Sequence, residues 1–259
     1  LRIKCLENAT NLFEKAYESL TLENIENSVN IMLDLEFYVG AIKLLLNIGH
    51  RLGTAVAANG NQSTKQVVLA STSPTSKVNT KQHQLYELVF KILTEIDNKA
   101  VKLTEANNQL VLNEFLETRE TIYDTCFALN DKTFHMQFYQ WFIAEGIPER
   151  LLTVNTPYIL SFLEGGAQNL LALTDLLWLY HAKRENYFNA AQILYELAIL
   201  EFPLLLTQRN EYLLRSIGFF NFACIPTLRQ KMIRLLAVVQ ELFDVAHVQM
   251  DNLYTIKED

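Results

Sequence analysis

Residues Glu36–Gly49 have the sequence EFYVGAIKLLLNIG, and residues Glu185–Ala198 have the sequence ENYFNAAQILYELA. The two segments share one pattern of small and apolar positions. In the first segment these positions are Tyr38, Ala41, Ile42, Leu45, Ile48 and Gly49, and in the second they are Tyr187, Ala190, Ala191, Leu194, Leu197 and Ala198. In both cases the positions follow one stripe of a helix with 3.6 residues per turn. Small residues within the stripe let a neighbouring helix approach closely, so the pattern predicts the stacked helical hairpins of an α-solenoid. Proteins of that class mostly bind other proteins.

The composition of the 259-residue chain is typical of a packed, helical protein. Hydrophobic residues make up 50% of the chain and charged residues 20%, a balance far from that of a disordered protein. The chain has only 8 glycines and 5 prolines, which is few for a sheet-rich protein with many tight turns. Two helical hairpins are clear, at Leu22–Leu52 and at Leu170–Leu200. We therefore predict an all-α fold, an α-solenoid of about ten or eleven helices in stacked antiparallel hairpins.

One segment departs from the helical pattern. Gly53–His83 contains no acidic residue, lacks sustained periodicity and includes the Ser/Thr-rich run STSPTS at residues 71–76. A loop of that length inside a compact domain is usually functional or disordered. We predict that residues 1–259 form a single α-solenoid segment with a flexible Ser/Thr-rich insertion at residues 53–80. Ser73 precedes Pro74 and fits a minimal proline-directed phosphorylation site, although such dipeptides are frequent by chance.

Charge and cysteine content exclude several classes of protein. The net charge is −7, from 22 basic and 29 acidic residues, and no Lys/Arg cluster is visible. This argues against direct nucleic-acid binding as the main function, except through a local patch formed by folding. Cys5, Cys126 and Cys224 are isolated and odd in number, which favours reduced thiols in the cytosol or nucleus over a disulfide framework.

Neither terminus nor core contains a membrane segment. No apolar run reaches the ~18 residues that a spanning helix needs. The nearest run, Leu194–Leu206, is interrupted by Glu196, Glu201 and Pro203. The chain enters a helical pattern directly at Leu1, without a signal peptide, so we expect it to be a piece of a longer protein.

The sequence lacks the motifs by which all-helical enzymes are recognised. It has no HExxH pair, its five histidines are scattered, and its only adjacent acidic pair is Glu258–Asp259. Gly165 and Gly166 lack the Gly-Lys-Ser/Thr of a phosphate-binding loop and are most simply a helix stop. We therefore predict no enzyme activity, no catalytic, cofactor or metal site, no cofactor and no small-molecule substrate.

Four individual residues have a structural interpretation that outweighs a functional one. His135 lies in an aromatic helix and is expected to pack or to cap a helix end. Trp141 and Trp178 stand on helical stripes, which favours burial in the core. Cys126 has no basic neighbour in sequence to lower its pKa, so we expect a buried, unreactive thiol.

Three segments carry a resemblance to a known family. They are DKTFHMQFYQWFIAEG (Asp131–Gly146), LLTVNTPYILSFL (Leu151–Leu163) and LTDLLWLYHAKRENYFNAAQILYELA (Leu173–Ala198). In this order they are similar to the C-terminal region of the large inner-ring scaffold nucleoporins, the nucleoporin 155/170 family of the nuclear pore complex. The matching features are Phe134-His135 with Tyr139 and Trp141, Leu151-Leu152 with Pro157, Asp175 to Trp178 with Tyr180, Lys183, Phe188, Ala190, Ala191 and Leu194, and more weakly Arg209 to Leu213. The insertion at Gly53–His83 is longer and richer in Ser and Thr than the family pattern.

The resemblance implies a non-catalytic scaffold in the nucleus, at the nuclear pore complex of the nuclear envelope. Family members join an N-terminal β-propeller to a long α-solenoid, and this chain would be the last part of that solenoid. The partners implied are linker nucleoporins and other inner-ring scaffold nucleoporins. Proximity to the nuclear envelope membrane would come mainly from the N-terminal region, which this chain does not include. The partner-binding residues cannot be transferred from the family and stay unknown.

The mechanism that we expect is binding of a partner segment in a groove between hairpins. Leu1–Ala16 should be covered by preceding helices, and the helix at Pro226–Tyr254 should end the stack with a polar side supplied by Asp244, Gln249 and Asp251. Two alternatives stay open. One is a vesicle-coat or other helical-repeat adaptor, if the order of the motifs is coincidental. The other is an all-α enzyme with a dispersed site, which a deep polar cavity joining carboxylates or histidines would favour.

Overall fold

The computed structural model describes residues 2–60, 74–105, 109–167, 170–200, 202–223 and 226–258. These residues form eleven α-helices and two 3-10 helices, with no β-strand among them. The prediction of an all-α fold with about ten or eleven helices is therefore confirmed. In this described part of the chain, no helix is both long enough and apolar enough to span a bilayer.

The chain divides into two compact units, residues Leu1–Phe138 and Tyr139–Asp259. The helices of the first unit are α1 (Arg2–Lys15), α2 (Leu22–Asp34), α3 (Tyr38–Gly60), α4 (Pro74–Glu105), α5 (Gln109–Phe127) and the first part of α6 (Lys132–Ala144). Helix α3 packs against α1, α2, α4 and α5. It is therefore the central helix of this unit.

In the second unit each helix packs on the next one along the chain. After the end of α6 the elements are a 3-10 helix (Pro148–Thr153), α7 (Ile159–Ala167), α8 (Leu171–Lys183), α9 (Tyr187–Ile199), α10 (Leu206–Phe222), a second 3-10 helix (Pro226–Leu228) and α11 (Arg229–Glu258). Contacts join α7 to α8, α8 to α9, α9 to α10 and α10 to α11. Packing between consecutive helices is the defining arrangement of an α-solenoid.

The two helices that contain the repeated pattern bury it as predicted. The fully buried stripe positions are Ala41, Ile42, Leu45 and Ile48 in α3, and Ala190, Ala191, Leu194 and Leu197 in α9. The tyrosines that start the stripes, Tyr38 and Tyr187, are half-buried. The buried stripes face the neighbouring helices, which are α1, α2, α4 and α5 for α3 and α8 and α10 for α9.

The turns before α3 and α9 have the same backbone geometry. Glu36 and Glu185, which occupy equivalent positions in the two repeats, have φ angles of 58° and 59° in the left-handed region. In each turn the residue after the Glu donates its backbone N–H to a carbonyl five positions back, and the Glu N–H bonds three positions back, as in a Schellman motif. Gly146 ends α6 in the same way, with a φ of 74°. The sequence did not predict the left-handed conformation of these two glutamates, because this backbone conformation normally favours glycine.

Part of the segment predicted as a flexible insertion is helical. Helix α3 continues to Gly60 and α4 begins at Pro74, so residues 53–60 and 74–80 are helical. Proline is well suited to the first helical position, because the N–H that it lacks would have no partner there. Residues 61–73, including Ser73, lie outside the described residues, and their flexibility stays a prediction. That residues 1–259 act as one segment stays a prediction as well.

The two terminal helices differ in how they expose apolar side chains. In α1 only Thr10 is buried, and Ile3 and Leu12 are more than half exposed. This agrees with an additional layer over α1, which stays a prediction. In α11, Asp244, Gln249 and Asp251 are exposed as expected. Four apolar side chains are exposed on the same helix, however, namely Ile233, Val238, Val245 and Val248. The outer side of α11 is therefore mixed and is not the polar cap that the sequence predicted.

The close approach of α3 and α4 generates a testable prediction at Gly49. A Cβ atom at this position would lie 2.4 Å from Cε1 of Tyr86, which is itself fully buried. Gly49→Ala should therefore overpack the core and destabilise the protein by ~1–3 kcal/mol, measured by chemical or thermal unfolding.

The matched control is Gly218→Ala in α10, where an added Cβ would meet no atom within 4 Å. This change should leave the stability unchanged or raise it by ~0.5–1 kcal/mol, because alanine favours the helix. Equal unfolding curves for the two variants would contradict the close approach of α3 and α4.

Candidate partner-binding grooves

The four residues that the sequence singled out, His135, Cys126, Trp141 and Trp178, are all buried. His135 is buried, and its Nε2 lies 2.6 Å from the carbonyl oxygen of Leu129, just beyond α5. Because a carbonyl only accepts, Nε2 must carry the hydrogen, and burial lowers the pKa of the ring and keeps it neutral. Cys126 is fully buried, and burial raises the pKa of its thiol. Trp141 and Trp178 are buried too, which confirms the burial expected of both tryptophans.

A polar cluster that the sequence did not predict lies in the first unit, around Asp131. This residue precedes α6, and its Oδ1 accepts the backbone N–H of Phe134 at 3.0 Å, as an N-cap does. Its Oδ2 accepts the hydroxyl of Tyr86 at 2.7 Å and lies 3.3 Å from Nδ1 of His50. The side-chain amide of Gln82 donates to both Tyr86 and Asp131. No sequence motif predicts this cluster, because its members are far apart in the sequence.

The Asp131 cluster is the arrangement that a dispersed catalytic site would most resemble, since it joins a carboxylate and a histidine from different helices. Its geometry indicates instead that the cluster holds neighbouring helices together. Asp131 is only 9% exposed, and both of its oxygens already accept hydrogen bonds. Burial, followed by the bond to Asp131, raises the pKa of Tyr86, so its hydroxyl stays protonated as a donor. Across the described residues, no group of three or more His, Cys, Asp or Glu side chains could hold a metal ion.

A second carboxylate, Asp175, ties two helices of the second unit. Its Oδ1 accepts the indole N–H of Trp178 at 3.0 Å, and Tyr212 donates its hydroxyl to Oδ1 and Oδ2 at 3.0 and 3.1 Å. Burial and then the charge of Asp175 raise the pKa of Tyr212 to about 12. The guanidinium of Arg215 lies 5.5 Å from the ring of Trp178. The motif residues Asp175 and Trp178 therefore join α8 to α10.

Two arginines near these motifs donate to backbone carbonyls in and just after the last turn of a helix. Arg209 donates to the carbonyl oxygens of Ala198, Leu200 and Phe202 at 2.6, 2.9 and 2.8 Å. Arg184 donates to those of Leu152 and Val154 at 3.1 and 2.5 Å, and its guanidinium stacks 3.5 Å from the ring centroid of Tyr180. A cation at a helix C-terminus satisfies free carbonyls and complements the helix dipole. These arginines shape the connections and are not free to bind a partner.

Three surface grooves provide places where a partner segment could lie. One of about 440 Å³ is lined by Leu33, Asp34, Tyr38, Ile92, Glu95, Ile96, Asn98, Lys99 and Lys102. One of about 390 Å³ is lined by Glu7, Thr10, Asn11, Glu14, Phe37, Val39, Gly40, Lys43 and Asn47. The linings of these two grooves contain acidic and basic side chains. The third, of about 560 Å³, is lined by Phe220, Ala223, Pro226, Arg229, Met232, Ile233 and Leu236.

The third groove, which we call the α10–α11 groove, has the fewest charged residues among the described residues that line the three grooves. Its floor includes Phe220, which is buried in a core cluster with Val239 and Ala246. Ile233 of the lining is 59% exposed, and Arg229 is the only charged side chain among the described residues of the lining. Apolar grooves between helices accept the apolar side chains of a partner segment. The sequence did not predict this groove, because its lining comes from two helices and the connection between them without a motif.

Comparison with known proteins assigns the chain to a family. The family model described as non-repetitive/WGA-negative nucleoporin C-terminal matches residues 1–259. The chain belongs to this nucleoporin family. Nucleoporin NUP170 of Saccharomyces cerevisiae is 31% identical, over 98% of this chain and 17% of the yeast protein. A probable nucleoporin of Schizosaccharomyces pombe is 30% identical, over 100% of this chain and 19% of its own length. This nucleoporin segment thus spans less than a fifth of these relatives.

Solved structures agree with the fold. The Nup170 CTD in its crystal structure with Nup145N, from Chaetomium thermophilum, is 24% identical to this nucleoporin segment with a TM-score of 0.80. The match covers 99% of this chain and 48% of that one. A variant of the same Nup170 CTD, 25% identical, gives a TM-score of 0.74 over 98% of this chain and 48% of its own. The α-solenoid fold, the resemblance to the nucleoporin 155/170 family and the location at the nuclear pore complex are confirmed.

The burial of Trp178 generates a prediction that separates a structural role from a binding one. Its side chain is 6% exposed and packs with Leu194 and Leu197 of α9. Trp178→Ala should destabilise the protein by ~3–5 kcal/mol and lower the melting temperature clearly. Trp178→Phe keeps most of the ring and loses the N–H bond to Asp175, and should cost only ~1–2 kcal/mol. Unchanged melting curves together with lost partner binding would instead make Trp178 a surface anchor.

Proposed function

We propose that this nucleoporin segment is a structural scaffold of the inner ring of the nuclear pore complex. In this role it binds a linear segment of a linker nucleoporin in the α10–α11 groove, without chemical turnover, and so supports nucleocytoplasmic transport. The groove carries the proposal, because it is an apolar surface between consecutive helices in a fold whose relatives are nucleoporins. The Nup170 CTD with a TM-score of 0.80 was crystallised with Nup145N, which supports a partner of that kind.

The physical nature of the groove suits a partner that is disordered when free. Such a segment loses conformational entropy when it binds, so each contact is individually modest. A scaffold gains strength when several modest contacts act together, since a linked second contact is effectively intramolecular. The groove of about 560 Å³ has room for a few apolar side chains. This is the scale of contact that a linker between large rigid scaffold proteins would use.

The alternatives have less support. A vesicle-coat adaptor would be favoured if the order of the three motifs were coincidental. The nucleoporin family model matches the whole chain, which argues against coincidence. A dispersed enzyme site would need free polar groups, whereas the Asp131 and Asp175 carboxylates already accept hydrogen bonds within the protein. Neighbouring inner-ring scaffold nucleoporins stay proposed partners, for which we assign no surface. Membrane proximity through a region outside this chain is likewise a proposal.

A binding measurement with purified proteins tests directly whether the partner uses the groove. The segment should bind the Nup145N counterpart of the same organism, measured by isothermal titration calorimetry. Ile233 lines the groove and is 59% exposed, so Ile233→Asp should weaken binding at least about tenfold without unfolding the protein. Val245→Asp is the matched control, because Val245 lies on the same helix, is 55% exposed and does not line the groove.

Two results would contradict the proposal. If Ile233→Asp binds as tightly as the unmodified segment, the partner does not use this groove. If a pull-down from nuclear extract recovers coat or cytosolic proteins without any pore component, the adaptor alternative is favoured. The groove assignment also requires that the control variant Val245→Asp binds the partner as tightly as the unmodified segment does.

A further inference from the structure

We infer that the α10–α11 groove selects partner segments that carry a carboxylate beside their apolar anchor, and that Arg229 binds this carboxylate. The inference rests on the proposed function and specifies the chemistry of its partner. It starts from the charge around the groove. Residues 216–240 contain three basic residues, Arg229, Lys231 and Arg234, and no acidic one. This local excess contrasts with the net charge of −7 of the whole chain.

Arg229 is the basic residue that faces the groove. It lines the groove together with Met232 and Ile233, and its side chain is exposed. Lys231 instead lies over the ring of Phe188, 5.3 Å from its centroid. Arg234 is exposed and lies outside the lining. One guanidinium therefore stands at the edge of an otherwise apolar surface.

The guanidinium of Arg229 has no acidic partner among the residues that the structure describes. Within the described residues it forms neither a hydrogen bond nor an ion pair, whereas Arg119 and Arg215 pair with acidic side chains at 2.5 Å and Arg184 and Arg209 bind carbonyls. Arg229 is also the first residue of α11, whose first turn contains no acidic residue. The positive end of the helix dipole adds to the charge at this point. The combination favours a carboxylate, which a guanidinium binds with two parallel hydrogen bonds.

The apolar lining decides which class of macromolecule the site fits. A nucleic acid would require several cations spaced along its phosphates, and the groove lining offers only Arg229. Phe220, Met232 and Leu236 offer apolar contacts that a phosphate backbone cannot use. A peptide segment with an aliphatic or aromatic anchor and an Asp or Glu nearby uses both features. We therefore assign the groove to an acidic-apolar peptide segment.

The test uses overlapping short peptides that cover the Nup145N counterpart, each made in two versions. One version keeps its Asp and Glu residues, and the other replaces them with Asn and Gln. Binding is measured by fluorescence anisotropy with the unmodified segment, with Arg229→Gln and with the control Arg234→Gln. Arg234 is a sound control, because it lies on the same helix, is exposed and carries the same charge. Thermal unfolding verifies that both variants are folded.

For the peptide that binds best, Arg229→Gln and the amide replacement should each weaken binding about tenfold. Applied together they should cause no loss beyond that of either one alone, because both changes remove the same pair. Arg234→Gln should change the affinity less than about twofold, since exposed charges away from the contact contribute little.

Several outcomes would overturn the inference. Equal affinity for the acidic and amide peptides, or equal effects of Arg229→Gln and Arg234→Gln, would show that no carboxylate is bound by Arg229. The proposed function would survive that result if Ile233→Asp still abolished peptide binding. Absence of binding by every peptide would reject both proposals. Binding of a single-stranded oligonucleotide that depends on Arg229, in place of the peptides, would assign the groove to nucleic acid.

Discussion

Close approach between helix backbones is the constraint on which the rest of the structure depends. In the first unit, Gly49 of α3 leaves the space that the buried ring of Tyr86 occupies. In the second unit, Ala191 of α9 is small enough that Ser216 of α10 donates its hydroxyl to the Ala191 carbonyl at 2.7 Å, with both residues fully buried. A larger residue at either position would separate the helices, because protein cores are close-packed and tolerate added volume poorly.

Once the helices are this close, the same kind of polar contact fixes their positions in each unit. Asp131 accepts the hydroxyl of Tyr86 in the first unit, and Asp175 accepts that of Tyr212 in the second. Removing a carboxylate from water, fully at Asp131 and partly at Asp175, is costly unless donors surround it, so these hydrogen bonds favour one arrangement of the helices over others. In both units the motif residues around Asp131 and Asp175 hold helices together. The function is therefore expected at the surface, in the grooves between helices.

The sequence predicted the parts of the fold that depend on helical periodicity. The hairpin of α8 and α9, predicted at Leu170–Leu200, was placed within a residue at each end. The start of α4 was missed, because polar residues after Pro74 carry no apolar stripe. The left-handed Glu36 and Glu185 were missed because that conformation is rare for glutamate. The α10–α11 groove has no sequence signature, since it depends on how two helices pack and not on residue spacing.

Hydrogen exchange by mass spectrometry tests the central claim most directly, because it locates the partner without any substitution. Backbone exchange of the segment would be compared with and without the Nup145N counterpart. The proposed binding mode predicts slower exchange at Ile217–Phe222 of α10 and Arg229–Gln240 of α11, where bound apolar side chains would suppress local opening. Slower exchange confined to the first unit, Leu1–Phe138, with no change in α10 and α11 would contradict it.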